Sequence, residues 1–161
     1  MKRILESGQF SNYREGVSLD SASMEVANLY KSYFGKTTVF ISHKHDDLED
    51  LSGLIGFLEK NYNVKAYIDS KDSSMPSVTS GVTASKIKER IRQCDKFILL
   101  ATDGAVESKW CNWELGYGDS QKFSSKDIAI LPLKRKGYSD SSYKGNEYMQ
   151  IYPYISFYEG N

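Results

Sequence analysis

Apolar and polar positions alternate along this chain in two rhythms, and from Thr37 onward the rhythms take turns. TTVFIS is a β-branched and aromatic run too short for a helix, so it predicts a buried strand. The segment DDLEDLSGLIGFLEKNY places Leu48, Leu51, Leu54, Ile55 and Leu58 on one helical face, with Asp46 and Asp47 at its start, where the helix dipole favours negative charge. VKAYID predicts a second strand, ASKIKERIRQC a helix carrying Ile87, Ile91 and Cys94 on one face, and KFILLAT a third strand. SKWCNWELGYGDSQKF is a further helix and IAILPL a fourth strand. IYPYISFY is expected as a fifth strand at an edge, because Pro153 has no N–H to give to a ladder.

Strands that are apolar throughout and separated by helices imply a parallel sheet covered on both faces. The expected fold is therefore α/β, a doubly wound sheet of about five parallel strands. Ahead of it, residues 1 to 20 are mixed and without period, and are expected as an irregular arm. Residues 22 to 34 bring Val26, Ala27, Tyr30, Tyr33 and Phe34 to helical spacing, ending near Gly35. The chain thus divides into an N-terminal extension with a short helix, 1 to 35, and a main domain, 36 to 161.

Composition sets limits on function. Lys plus Arg and Asp plus Glu number 21 each, so no global field gathers nucleic acid or an anionic membrane. The N-terminus has no signal-like apolar run, and no stretch reaches the roughly 20 apolar residues a spanning helix needs. A cytoplasmic setting is expected. Cys94 and Cys111 belong to no CxxC or ligand cluster and read as ordinary thiols of a reducing compartment. His43 and His45 lack a third His or Cys to complete a metal set, so no metal is expected.

Ligands of open parallel sheets sit beyond the carboxyl ends of the strands. That rule selects Ser42, His43, Lys44 and His45 after the first strand, Asp69 to Asp72 after the second, and Thr102, Asp103 and the Trp-rich helix after the third. SKDSSMPSVTSG, residues 70 to 81, is a long loop for a compact α/β unit, and such loops tend to carry function. On the Trp-rich helix, Trp110 and Glu114 are four residues apart and share a face, whereas Trp113 is expected to point elsewhere. A helical Trp packs in a core as readily as it stacks on a ligand, and a helix Glu is usually a solvated charge, so spacing alone leaves the pair open.

Three boxes carry a resemblance: VFISHKHDD, VKAYIDSKDSSMP, and CDKFILLAT followed by SKWCNWELG. Across residues 37 to 133 they resemble the TIR (Toll/interleukin-1 receptor) domain family, in its free-standing bacterial form and close to the sensor-enzymes of Thoeris-like anti-phage defence. The resemblance implies a flavodoxin-like fold and, in enzymatic members, cleavage of the nicotinamide–ribose bond of NAD, which is substrate rather than cofactor. It implies Glu114 as the catalytic glutamate, four residues after Trp110, and a substrate site that also includes His43, Lys44, Asp69, Ser42 and Phe40. Phe40 and Ser42 fit a purely structural role equally well.

The resemblance further implies assembly through the 70 to 81 loop, and a separate effector that responds to the product. The family usually closes with a helix after the fifth strand, which here is expected to be absent or replaced by the N-terminal helix around 22 to 34, and the polar segment 136 to 149 offers no alignable site residue. The chemistry suits the residues: departure of nicotinamide leaves positive charge on the ribose, and an ionised Glu114 would stabilise it.

Two other classes compete. One is a TIR interaction module without catalysis. The other is a phospho-acceptor receiver domain, which needs clustered oxygens for Mg²⁺; Asp46, Asp47, Asp103 and Lys134 match it superficially. A deoxyribosyltransferase-like enzyme on a similar fold is a third possibility.

Overall fold

A computed structural model describes residues 2–17, 19, 35–69 and 78–158. The helix expected over 22 to 34, and most of the 70 to 81 loop, fall outside the described residues.

The central strand β3 (Thr37–Ser42) pairs in parallel with β4 (Val64–Tyr67) on one side and β5 (Lys96–Ala101) on the other. Beyond β5 lies β6 (Ile128–Lys134), and beyond that a two-residue strand β2 (Leu5–Glu6), so the order is β2-β6-β5-β3-β4, all parallel. The strand-to-strand period of two sorts side chains onto opposite faces. Val39, Ile41, Ile98 and Leu100 point toward α1 (Leu48–Asn61), whose Leu51, Leu54 and Ile55 cover them. Phe40, Phe97 and Leu99 point the other way, toward α2 (Gly81–Gln93) and α4 (Lys109–Lys122), and pack with Ile87, Ile91, Cys111 and Leu115. This is the doubly wound arrangement the pattern predicts and the flavodoxin-like fold the resemblance implies. A short helix α3 (Asp103–Glu107), capped by the Thr102 hydroxyl accepting from the Ala105 N–H, precedes α4.

The N-terminal arm differs from expectation. Rather than lying irregularly, it supplies β2 to the sheet and β1 (Lys2–Arg3) to an antiparallel pair with β7 (Phe157–Tyr158), and Leu5 is buried. The expected fifth strand is correspondingly short. Beside β6 it makes one bridge at Tyr154, through the Ile130 N–H donating to the Pro153 carbonyl and the Ile155 N–H donating to the Ile130 carbonyl. Pro153 contributes only an acceptor, as its ring requires. Two short segments, one from each end of the sequence, thus share the edge of β6.

The arm lies close on α1. A Cβ at Gly53 would meet the Phe10 carbonyl oxygen at 2.7 Å, and one at Gly56 the Tyr13 carbonyl oxygen at 2.0 Å. Asp50 ties the same arm down by accepting from the Ser7 hydroxyl at 2.6 Å and the Gly8 N–H at 2.7 Å. Gly56→Ala cannot be accommodated without lifting that backbone. We expect it to lower unfolding stability by about 1–3 kcal/mol despite the better helix propensity of alanine. Denaturant unfolding of the variant checks this, and a gain in stability would mean that the arm does not seat here.

Candidate active site

The order of β4, β3 and β5 creates a point at which the chain runs to one side of β3 and then returns to the other. Loops diverge there, and a crevice opens beyond the strand ends. A cavity of about 470 Å³ occupies this position, lined by His43, Lys44, His45, Asp69, Thr79, Ser108, Trp110 and Cys111. Five residues selected from sequence, His43, Lys44, His45, Asp69 and Trp110, therefore meet in one place.

Each is positioned by its element. His43 follows β3 directly, is buried, and places Nδ1 3.1 Å from the Ile41 carbonyl oxygen. Lys44 is half-exposed, lies against Gly104, and pairs with Asp46 at 3.7 Å. Asp69 stands just beyond β4. Trp110 is held in the first turn of α4, where the Ser108 hydroxyl caps the helix by accepting from the Cys111 N–H.

Glu114 lies one turn further along α4, at only 1% exposure and behind the cavity wall formed by Trp110 and Cys111. The Ser42 hydroxyl donates to its Oε2. Oε1 is also buried, and among the described residues it has no hydrogen-bond partner. Burial is the main influence pushing this carboxyl well above the usual glutamate range, and the charge of Asp69 pushes it further. The Ser42 hydroxyl and the Trp110 indole act in the opposite direction, the indole without reaching hydrogen-bond geometry. Burial and the Asp69 charge thus oppose the ionised form of Glu114 that the chemistry calls for.

Two residues of the expected substrate set, Phe40 and Ser42, do not line the cavity. Phe40 is fully buried between Phe97, stacked at 5.6 Å, and Tyr67, also at 5.6 Å, so it belongs to the core. Ser42 is fully buried and touches Glu114 rather than the cavity.

Trp113, expected to point away, instead tilts against Trp110 with ring centroids 5.1 Å apart, and continues into Tyr117 at 6.5 Å. The i, i+3 spacing could have revealed this contact. Ser108 was equally accessible as a cap residue ahead of an apolar-periodic helix. Burial raises the Cys111 thiol to about 11, so it lines the cavity as a neutral group.

The receiver-like acidic set does not assemble as a metal site. Asp47 accepts from the Thr102 hydroxyl at 2.6 Å, Asp103 pairs with Arg135 at 2.9 Å, and Lys134 is taken by Asp140 at 2.6 Å. Among the described residues no group of three His, Cys, Asp or Glu side chains could hold a metal ion.

Residues 39–160 match the TIR domain family. The chain belongs to that family. The TIR domain is 33% identical over 120 residues to the probable 3' cyclic ADP-D-ribose synthase ThsB' of Bacillus cereus (strain MSX-D12), an alignment covering 73% of this chain and 60% of the relative. It therefore spans about three fifths of that protein's length. No helix among the described residues of the TIR domain is long and apolar enough to cross a membrane.

Proposed function

We propose that this TIR domain breaks the bond between nicotinamide and ribose in NAD and closes the ADP-ribosyl group into a cyclic ADP-ribose. The observation that carries this reading is the buried Glu114 carboxyl, with one oxygen held by Ser42 and the other unpartnered, behind an indole that lines the cavity. The Bacillus cereus relative, a probable 3' cyclic ADP-D-ribose synthase, supports the cyclic product.

In the proposed reaction the C1′–N bond breaks, its electron pair leaves with neutral nicotinamide, and positive charge spreads over C1′ and the ring oxygen of the ribose. Trp110 offers a flat wall that orients the rings and excludes water. The cationic pyridinium of NAD, brought beside Glu114, offsets the burial and the Asp69 charge and favours the ionised form of Glu114. Glu114 then ionises and stabilises the cation through the ribose hydroxyls. A hydroxyl of the adenosine ribose attacks C1′ and loses its proton to solvent, giving cyclic product, nicotinamide and one proton. Capture by water instead gives ADP-ribose.

The product serves as a diffusible signal to a separate effector protein in cytoplasmic anti-phage defence, and assembly of copies runs through the 70 to 81 loop. Incubation with NAD at high protein concentration, followed by mass identification, tests the chemistry. Nicotinamide is expected together with a species lighter than ADP-ribose by one water. Lack of nicotinamide release under all protein concentrations would leave the non-catalytic interaction module as the better reading.

A further inference from the structure

The environment of Glu114 assigns a role to a residue that does not reach the cavity. We propose that Ser42 is the positioning residue of the site: its hydroxyl holds Oε2 of Glu114 and so presents Oε1 as the oxygen that meets the substrate ribose. This inference rests on the proposed NAD chemistry and specifies how its carboxyl is aimed.

The strand period places Ser42. Ser42 is two residues beyond Phe40 and shares its face, the one covered by α2 and α4. It is the last residue of β3 and pairs with Leu99 of β5, so its Cα is fixed by the sheet and not by a loop. Glu114, in the second turn of α4, is equally fixed by the helix and by the neighbouring Leu115 and Cys111 in the core. The hydrogen bond joins two rigid elements 72 residues apart in sequence. It fixes the carboxyl rotation that neither element sets alone.

Burial sharpens the point. Ser42 is fully buried and its hydroxyl is committed to Oε2 of Glu114, which leaves Oε1 as the free oxygen of the pair. A buried carboxyl oxygen without a partner is costly, and such an orphan calls for an explanation. Here the missing partner is a hydroxyl of the substrate. The hydroxyl of Ser42 also favours the charged form of Glu114, against the desolvation and the Asp69 charge that oppose it. The other titratable groups that interact with the carboxyl are Asp69 from the end of β4 and Cys111 on α4, while His43 and Lys44, following β3, line the neighbouring cavity.

Two readouts on Ser42→Ala and the near-isosteric Ser42→Cys test the role. In the first, nicotinamide release from NAD is followed against pH. Activity that needs the Glu114 carboxylate rises with pH through the apparent pKa of the Glu114–Asp69 pair. Ser42→Ala is expected to lower kcat about tenfold, to change KM by less than about twofold, and to move the acid limb up by about one pH unit. Ser42→Cys, a weaker donor, should fall between wild type and Ala, and serves if Ser42→Ala does not fold.

The second readout needs no turnover: ¹³C NMR titration of the Glu114 carboxyl in the substrate-free protein, assigned by its loss in Glu114→Gln. Removing the hydroxyl should raise the midpoint. A kcat loss with an unmoved limb, or an unmoved carboxyl titration, would show that Ser42 only fills space and would overturn the proposal. If wild type releases no nicotinamide, the NAD reading fails, whereas the carboxyl titration still decides whether Ser42 governs Glu114.

Discussion

Glu114→Gln is expected to reduce nicotinamide release from NAD by about 100-fold or more, the scale of losing one preorganised group that stabilises charge only in the transition state, about 2.7 kcal/mol. The loss should fall on kcat, because the amide keeps the size of the side chain and the cavity wall of Trp110 and Cys111 is unchanged. Stability should move the other way. The folded-state pKa of Glu114 lies above its unfolded value, so the native protein binds the extra proton and gains from it at low pH. That gain is lost as pH rises from the ordinary glutamate range through the raised value, where the native state must either hold a buried charge or keep a costly proton. Glu114→Gln removes the liability. Its melting temperature relative to wild type is therefore expected to improve as pH rises through this window. A variant that retains full turnover would remove Glu114 from the chemistry.

This opposition between activity and stability explains why the site is only half legible in the sequence. Strands β3, β5 and β6 and helices α1, α2 and α4 follow directly from runs and periods, because each buries enough apolar surface to dominate its local choice. The pairing of Ser42 with Glu114 was readable in principle: strand parity puts Ser42 on the Phe40 face, and α4 must cover that face if crossovers are right-handed. What sequence does not carry is desolvation. Glu114 looks like an ordinary charged helix residue until the sheet, Cys111 and Leu115 close around it, and the same closure brings Asp69 near enough to oppose its ionisation.

The edge of the sheet was hidden for a different reason. β2 contributes two residues, Leu5 and Glu6, too few to show a period, and their pairing with Leu133 and Lys134 is decided by tertiary context. The tail competes for the same edge, and with Pro153 in it, only Tyr154 bridges to Ile130. Trp113 illustrates a third kind of miss. Its spacing from Trp110 was visible, but a four-residue rule favoured Glu114 as the partner, while the breadth of an indole lets an i, i+3 neighbour make ring contact too.

The second large effect separates the core from the site. Phe40→Ala is expected to cost about 3–5 kcal/mol of unfolding stability, since it empties a fully buried position stacked on Phe97 and tilted against Tyr67. Trp110→Ala should do the reverse: Trp110 is only partly buried and lines the cavity, so its loss is expected to raise KM for NAD and lower kcat with a much smaller stability change. Thermal unfolding and steady-state kinetics on both variants, at a temperature where each is folded, distinguish the roles. If Phe40→Ala kept its stability and lost NAD binding, Phe40 would belong to the substrate set. The expected pattern instead places it as support: Phe40 and Ser42 share a strand face, so the aromatic stack that fills the space beneath α4 also fixes the height at which Glu114 meets the Ser42 hydroxyl.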